Sequence, residues 1–212
     1  MTVARTRLSA ERVEPAPFAA RVIGHVLTVA GLVGLVAALV LTVEKIRLLQ
    51  DPGYTPSCSI DPILSCGSVM VTEQAAAFGF PNSLIGLAAF PVVATVGVVV
   101  LTGARLPRWF WLGLQAGAVF GVGFVHWLFF QSVYRIGALC PYCMVVWAVT
   151  ITVFWYTTLH NVHRGHLPLP ARWRRGADLL VRYHTAGLTV WFLVLTALIG
   201  EAFWSYWRTL GR

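Results

Sequence analysis

Cys140-Pro141-Tyr142-Cys143 stands where one long apolar run ends and the next begins. At the mouth of a membrane helix a C-x-x-C is a metal clip, a redox couple or a coincidence. The chain holds only two other cysteines, Cys58 and Cys66, in one connection between apolar runs. The reading therefore turns on whether that connection reaches the membrane face that Cys140 occupies. Of the 212 residues 58% are hydrophobic and 11% charged, with a mean hydropathy of +0.73. Soluble domains carry about a quarter charged residues, so this chain cannot cover its apolar surface in water and belongs in a bilayer. The net charge of +8 does not point to nucleic acid, because no basic-aromatic face or nucleic-acid motif accompanies it. The arginines fall instead in short loops between apolar runs, where membrane orientation is set.

Taken in order, residues 1–20 are polar and rich in Arg, Ala and Pro, a flexible segment. Val22 to Val43 is about one bilayer thickness of helix. It lacks a cleavage site and reads as an uncleaved span. Glu44 to Ser65 is a polar, proline-containing connection, and Cys66 to Phe78 reads as a short half-helix on the membrane surface. A second span starts at Pro81 and runs to about Thr102, and a third from about Trp109 to Tyr134. Within the third, Gly113, Gly117 and Gly121 recur every fourth residue, a stripe for close approach of a neighbouring helix. The fourth span opens at Cys140. Residues 161–183 form a basic loop, and the segment 184–212 holds a fifth span from about Ala186 to Tyr206. The class is an all-α integral membrane protein.

Five spans put successive loops on alternate sides. With the N-terminus in the cytoplasm, the inner segments hold Arg5, Arg7, Arg12, Arg21, Arg105, Arg108, Arg164, Arg172, Arg174, Arg175 and Arg182, eleven of the sixteen Lys and Arg. That bias orients the N-terminus inwards and the C-terminus outwards. All four cysteines then share the outer face.

An even cysteine count on an oxidising face reads first as disulfides. Two static staples or a zinc site, which uses similar spacings, are the plainer alternatives to a redox relay. In favour of the relay, both thiols of Cys140-x-x-Cys143 fit the first turn of a helix, whose dipole stabilises a thiolate. Cys143 lies one turn deeper, towards the hydrocarbon, so one sulfur faces an aqueous partner and the other a lipid-dissolved one. Thiolate attack through mixed disulfides would join this pair to Cys58 and Cys66.

The four-cysteine spacing, together with Gly79-Phe80-Pro81-Asn82-Ser83-Leu84-Ile85-Gly86 at the second span, resembles the vitamin K epoxide reductase family, specifically its bacterial homologues. The resemblance covers roughly residues 22–160. It implies a four-helix bundle around a quinone over residues 21–160, with the fifth helix packed outside. It further implies that Cys58 meets a thioredoxin-like (DsbA-like) partner, that Cys66 exchanges with Cys140, and that Cys143 stands beside a quinone of menaquinone, ubiquinone or phylloquinone type. Asn82 matches a residue that hydrogen-bonds a quinone carbonyl. Thr72 stands where the family usually has Ser, and Trp147 where the vertebrate enzymes have Tyr. Indole is donor-only, which bears on epoxide reduction more than on quinone reduction. Asn82, Trp147, Thr72 and Phe78 are the candidate quinone contacts, and no metal is expected. Many bacterial relatives carry a fused thioredoxin-like domain. With none before Arg212, a separate partner on the outer face of the plasma membrane is expected.

Other residues keep plainer readings. Asn82 suits a helix cap. His126, within the third span, is either functional or a helix–helix hydrogen bond. Trp109, Trp111 and Trp207 read as interface anchors. Glu201 faces the outer interface or another helix.

Overall fold

The computed structural model describes residues 17–168, 170, 176, 179–204, 206 and 208. The flexible segment expected at the N-terminus lies almost wholly outside them, as do Trp207 and much of the basic loop. The architecture is all-helical: α1 (Pro17–Gln50), α2 (Cys66–Met70), a 3-10 turn (Glu73–Ala76), α3 (Ser83–Leu101), α4 (Arg108–Phe130) continued by a π-helical segment (Gln131–Ile136), α5 (Pro141–His163) and α6 (His184–Ala202). Five of these helices, α4 with its π segment counted as one, are long and apolar enough to cross a membrane.

Two expected boundaries shift. α1 does not stop at Val43 but runs on to Gln50, because the polar groups of its last turns find partners. The buried Glu44 carboxylate accepts from Tyr54 Oη at 2.8 Å and Ser57 Oγ at 2.7 Å. The surface half-helix is one short helix and a 3-10 turn, with Val71 and Thr72 between them.

α1 and α3 pack along most of their length, and glycine is the reason. A Cβ at Gly31 would lie 2.5 Å from the Ala94 amide, and one at Gly97 would fall on the Thr28 backbone. Without these side chains the helices approach closely enough for dispersion contacts between backbones, the main source of helix association in lipid. Ile23, Leu27, Ala30, Val93 and Val96 fill the core at this end, with Trp111 and Val153. Trp111 is therefore no interface anchor: it is 4% exposed and stacks on His160 at 4.0 Å. Trp109, 73% exposed, keeps that reading.

The stripe on α4 behaves differently. A Cβ at Gly113 or Gly117 meets nothing within 4 Å, and one at Gly121 meets only Thr150 Cγ2 at 3.1 Å. Among the described residues no helix fills the stripe; it is the wall of a cavity. The sequence shows that a stripe is small but not what lies opposite. α3 and α4, although joined by a short turn, scarcely touch, and the cavity occupies the space between them.

α6 is tied to the bundle by Trp191 Nε1, which donates to His126 Nε2 at 3.0 Å. An indole N–H only donates, so Nδ1 of His126 carries the ring proton and donates to the Val122 carbonyl at 2.7 Å. Of the two readings of His126, the helix–helix bond is the one observed. Glu201 is exposed at the end of α6.

Candidate active site

All four cysteines gather at one end of the bundle, and local sequence explains how. Asp61 Oδ1 accepts from the amides of Ile63 and Leu64, both at 2.8 Å, and turns the loop. Ser65 then caps α2 by accepting from the Ser68 amide, which starts a helix whose first residue is Cys66. On the other side, Gly137 adopts φ 71°, in the left-handed region that favours glycine, and ends the π segment. Cys140 follows with extended backbone, and Pro141 takes the first helical position, where its missing N–H costs nothing.

Two backbone hydrogen bonds stitch the segments together: Leu139 N to Ile63 O at 2.7 Å and Ser65 N to Leu139 O at 2.9 Å. This one-residue parallel bridge, Leu64 to Leu139, lies two residues before Cys66 and one before Cys140. It sets their sulfurs 3.1 Å apart, although 74 residues separate them in sequence.

Cys58 and Cys66 form a disulfide, and Cys140 and Cys143 are free thiols. The sulfurs of Cys58, Cys66 and Cys140 lie within 4.8 Å of one another. With two of the three oxidised, the group offers one thiolate rather than the four ligands of a structural zinc site. As a donor set it suits thiol–disulfide exchange, in which a thiolate must reach one sulfur of a disulfide. Cys66 and Cys140 are fully buried and Cys58 nearly so, so a protein partner reaches the disulfide only if the loop before α2 moves.

Cys140 is prepared as the attacking sulfur. A hydrogen bond from the Cys143 thiol is the largest influence holding its pKa below the ordinary thiol value. The amides of Cys143 and Tyr142 act in the same direction against the opposing effect of burial. A lowered pKa leaves more thiolate at neutral pH. In a Cys143→Ala chain that main support disappears. The pH at which Cys140 forms a mixed disulfide with Cys66 should then move up, as a pH series of quenched samples on non-reducing gels would show.

Beside Cys143 opens a cavity of about 560 Å³, within the usual range of small-molecule sites. Cys143, Asn82 and Trp147 line it; Cys140 does not. Its walls are apolar apart from a few groups at the cysteine end, among them Lys45, Gln74 and Gln131. Along α4 and the first residue of its π segment it extends from Trp109 to Gln131, roughly 33 Å of helix at 1.5 Å per residue.

Asn82 occupies the position before α3 but makes no side-chain cap. Its Nδ2 donates to the Gln74 carbonyl at 2.7 Å and its Oδ1 accepts from the Ala77 amide at 3.1 Å. The amide is thus fixed by the 3-10 turn, with one N–H uncommitted. The Trp147 indole is 6% exposed, set edge-on to Phe129. Thr72 and Phe78 do not line the cavity. Thr72 Oγ1 donates to the Val69 carbonyl at 2.8 Å, and Phe78 packs its half-exposed ring against Phe80, Phe120 and Phe124.

Sequence reasoning missed Lys45 and Gln131 as cavity residues. For Lys45 a signal existed: Leu41 and Leu48, four before and three after it, mark an inward face of α1.

A family model described as the vitamin K epoxide reductase family matches residues 25–158, which include all four cysteines, Asn82 and Trp147. No curated protein matches the chain.

Proposed function

The chain belongs to the vitamin K epoxide reductase family, and from that premise we propose that it is a membrane thiol:quinone oxidoreductase. It reoxidises a thioredoxin-like, DsbA-like partner and passes the electrons to a lipid-soluble quinone. The observation that carries this reading is the meeting of two cysteine pairs at Cys66 and Cys140, 3.1 Å apart, with Cys143 on the wall of an apolar cavity.

The electron path follows the chemistry of the sulfurs. A reduced partner attacks the Cys58–Cys66 disulfide at Cys58, and the resulting mixed disulfide resolves to leave the loop pair reduced. Cys66 then attacks an oxidised Cys140–Cys143 pair at Cys140. Exchange is reversible, so the same close approach serves both directions. The free thiols of Cys140 and Cys143 together give up two electrons and two protons, becoming a disulfide while the quinone becomes a quinol. Removal of the quinol drives the sequence forward.

The residues present fit such an acceptor. The ring end of the cavity offers the spare N–H of Asn82 and the Trp147 indole N–H, which has no protein hydrogen-bond partner among the described residues. Both are donors, which carbonyl oxygens require. The remainder is apolar and long, suited to a polyprenyl tail that enters from the bilayer between α3 and α4. The cysteine end is assigned to the extracytoplasmic face of the plasma membrane on the distribution of basic residues.

Trapping tests the relay. Incubated with oxidised DsbA-like protein, a Cys66→Ser chain, whose Cys58 is then a free thiol able to attack the partner's disulfide, should retain the partner on Cys58 as a mixed disulfide on non-reducing gels. A chain lacking both Cys58 and Cys143 should accumulate the Cys66–Cys140 bond on oxidation. If neither species forms, the relay is wrong.

Asn82→Ala should raise KM for quinone about tenfold, the order expected for one lost hydrogen bond with its desolvated partner. Steady-state quinone reduction by a small dithiol, with the quinone varied, measures it.

A further inference from the structure

We propose that Lys45 is a further catalytic residue of the quinone site, its ammonium facing the ring oxygen on which negative charge builds as electrons arrive from sulfur. The inference rests on the quinone reading and assigns the group that balances that charge.

Among the described residues that line the cavity, Lys45 is the one charged side chain. The other ionisable groups of the surrounding elements, Glu44, Arg47, Glu73, Arg135, Tyr142 and Cys140, are not part of the wall. Arg47 and Arg135 are exposed, as basic side chains at a helix end ordinarily are. Lys45 is instead half-buried and turned inwards. Its neighbours on that face of α1, Leu41 and Leu48, pack in the cluster that contains Met70, Cys140 and Cys143.

The ammonium is not spent on a carboxylate. Glu44, the adjacent acid, is committed to Tyr54 and Ser57. Lys45 Nζ donates to the Met70 carbonyl at 2.7 Å, and this is its one hydrogen bond among the described residues. An ammonium has three donors, so two remain for a ligand. Held by a backbone carbonyl, the charge is fixed in place before any ligand arrives, and its benefit is greatest in a water-poor cavity.

The redox balance shows where the charge is needed. Cys140 and Cys143 lose two electrons and two protons overall and become a disulfide. The quinone gains both, and each carbonyl oxygen becomes a hydroxyl. Electron pairs leave sulfur for the ring before both oxygens are protonated, so an oxygen carries negative charge in between. Asn82 and Trp147 bring neutral donors to the wall; Lys45 brings a formal charge.

Lys45→Gln keeps a donor for the Met70 carbonyl and removes the charge, while Lys45→Arg keeps the charge. Three readouts use the full-length protein in detergent with a ubiquinone or menaquinone analogue and dithiothreitol. For Lys45→Gln, kcat should fall at least about tenfold while the equilibrium affinity for oxidised quinone changes less than about threefold, since the charge acts on the transition state. The thiolate–quinone charge-transfer band should weaken or move to shorter wavelength, because a ring without the nearby cation is a poorer acceptor. Lys45→Arg should restore both. Formation of the Cys66–Cys140 bond, which involves no quinone, should be unchanged in Lys45→Gln. A Lys45→Gln protein with wild-type kcat and band overturns the inference. So does one in which Cys66–Cys140 exchange falls in parallel with kcat, because Lys45 would then only brace α2. A wild-type protein that reduces no quinone overturns the proposed function, and this inference with it.

Discussion

Cys143→Ala will abolish quinone reduction, with turnover by reduced partner falling at least about a thousandfold, the order seen when a catalytic nucleophile is removed. The size of the effect follows from position. Of the four cysteines only Cys143 lines the cavity, and Cys140, although three residues away, is fully buried between α2 and the start of α5. No other sulfur can stand in for it. The loop chemistry should survive the same change, because Cys58, Cys66 and Cys140 keep the backbone bridge that brings them together. The variant therefore separates two half-reactions: the partner still forms a mixed disulfide with the loop pair, while quinone absorbance stays constant. Undiminished quinone turnover would remove Cys143 from the electron path and with it the assignment of the cavity as the acceptor site.

Much of this arrangement was legible in the sequence, and the reasons are physical. Five spans could be read because lipid demands long apolar helices whatever their neighbours are. The start of α5 could be read because Pro141 fits only the first turn of a helix, which fixes Cys140 as its cap. The shared end of the cysteines followed from counting spans. What could not be read are facts about partners. Gly97 and Gly117 look alike in a sequence, yet one meets the backbone of α1 and the other meets empty space. Trp111 sits two residues from exposed Trp109, yet stacks on His160 inside the bundle. Asn82 reads as a cap, and only the fold of the 3-10 turn shows its amide engaged by Gln74 and Ala77 instead. The Cys66–Cys140 approach depends on a single backbone bridge between residues 64 and 139, for which no periodic pattern exists.

The two kinds of glycine give the second large prediction. Gly97→Leu should prevent accumulation of folded protein, because a Cβ there falls on the Thr28 backbone and lies 2.8 Å from the Gly24 carbonyl. Backbone on a packed helix cannot yield as a side-chain tip can, so α1 and α3 must separate. Overpacking alone costs about 1–3 kcal/mol, and forcing two spans apart adds the lost contacts of the whole interface. Fluorescence-detected size exclusion of a tagged chain in detergent would show the loss as an aggregated peak. Gly117→Leu introduces the same side chain with the opposite result. A Cβ at Gly117 meets nothing within 4 Å, so the protein should elute and melt like the wild type. The leucine instead projects into the cavity about midway along α4, well away from Cys143 and Asn82 at the ring end. A quinone with a long prenyl tail should lose affinity, with KM raised at least about tenfold. A tail-less quinone should be reduced at the wild-type rate, since the added side chain does not reach the ring. Equal effects on both acceptors would mean that the groove does not hold a tail, and that access to the ring runs along another path.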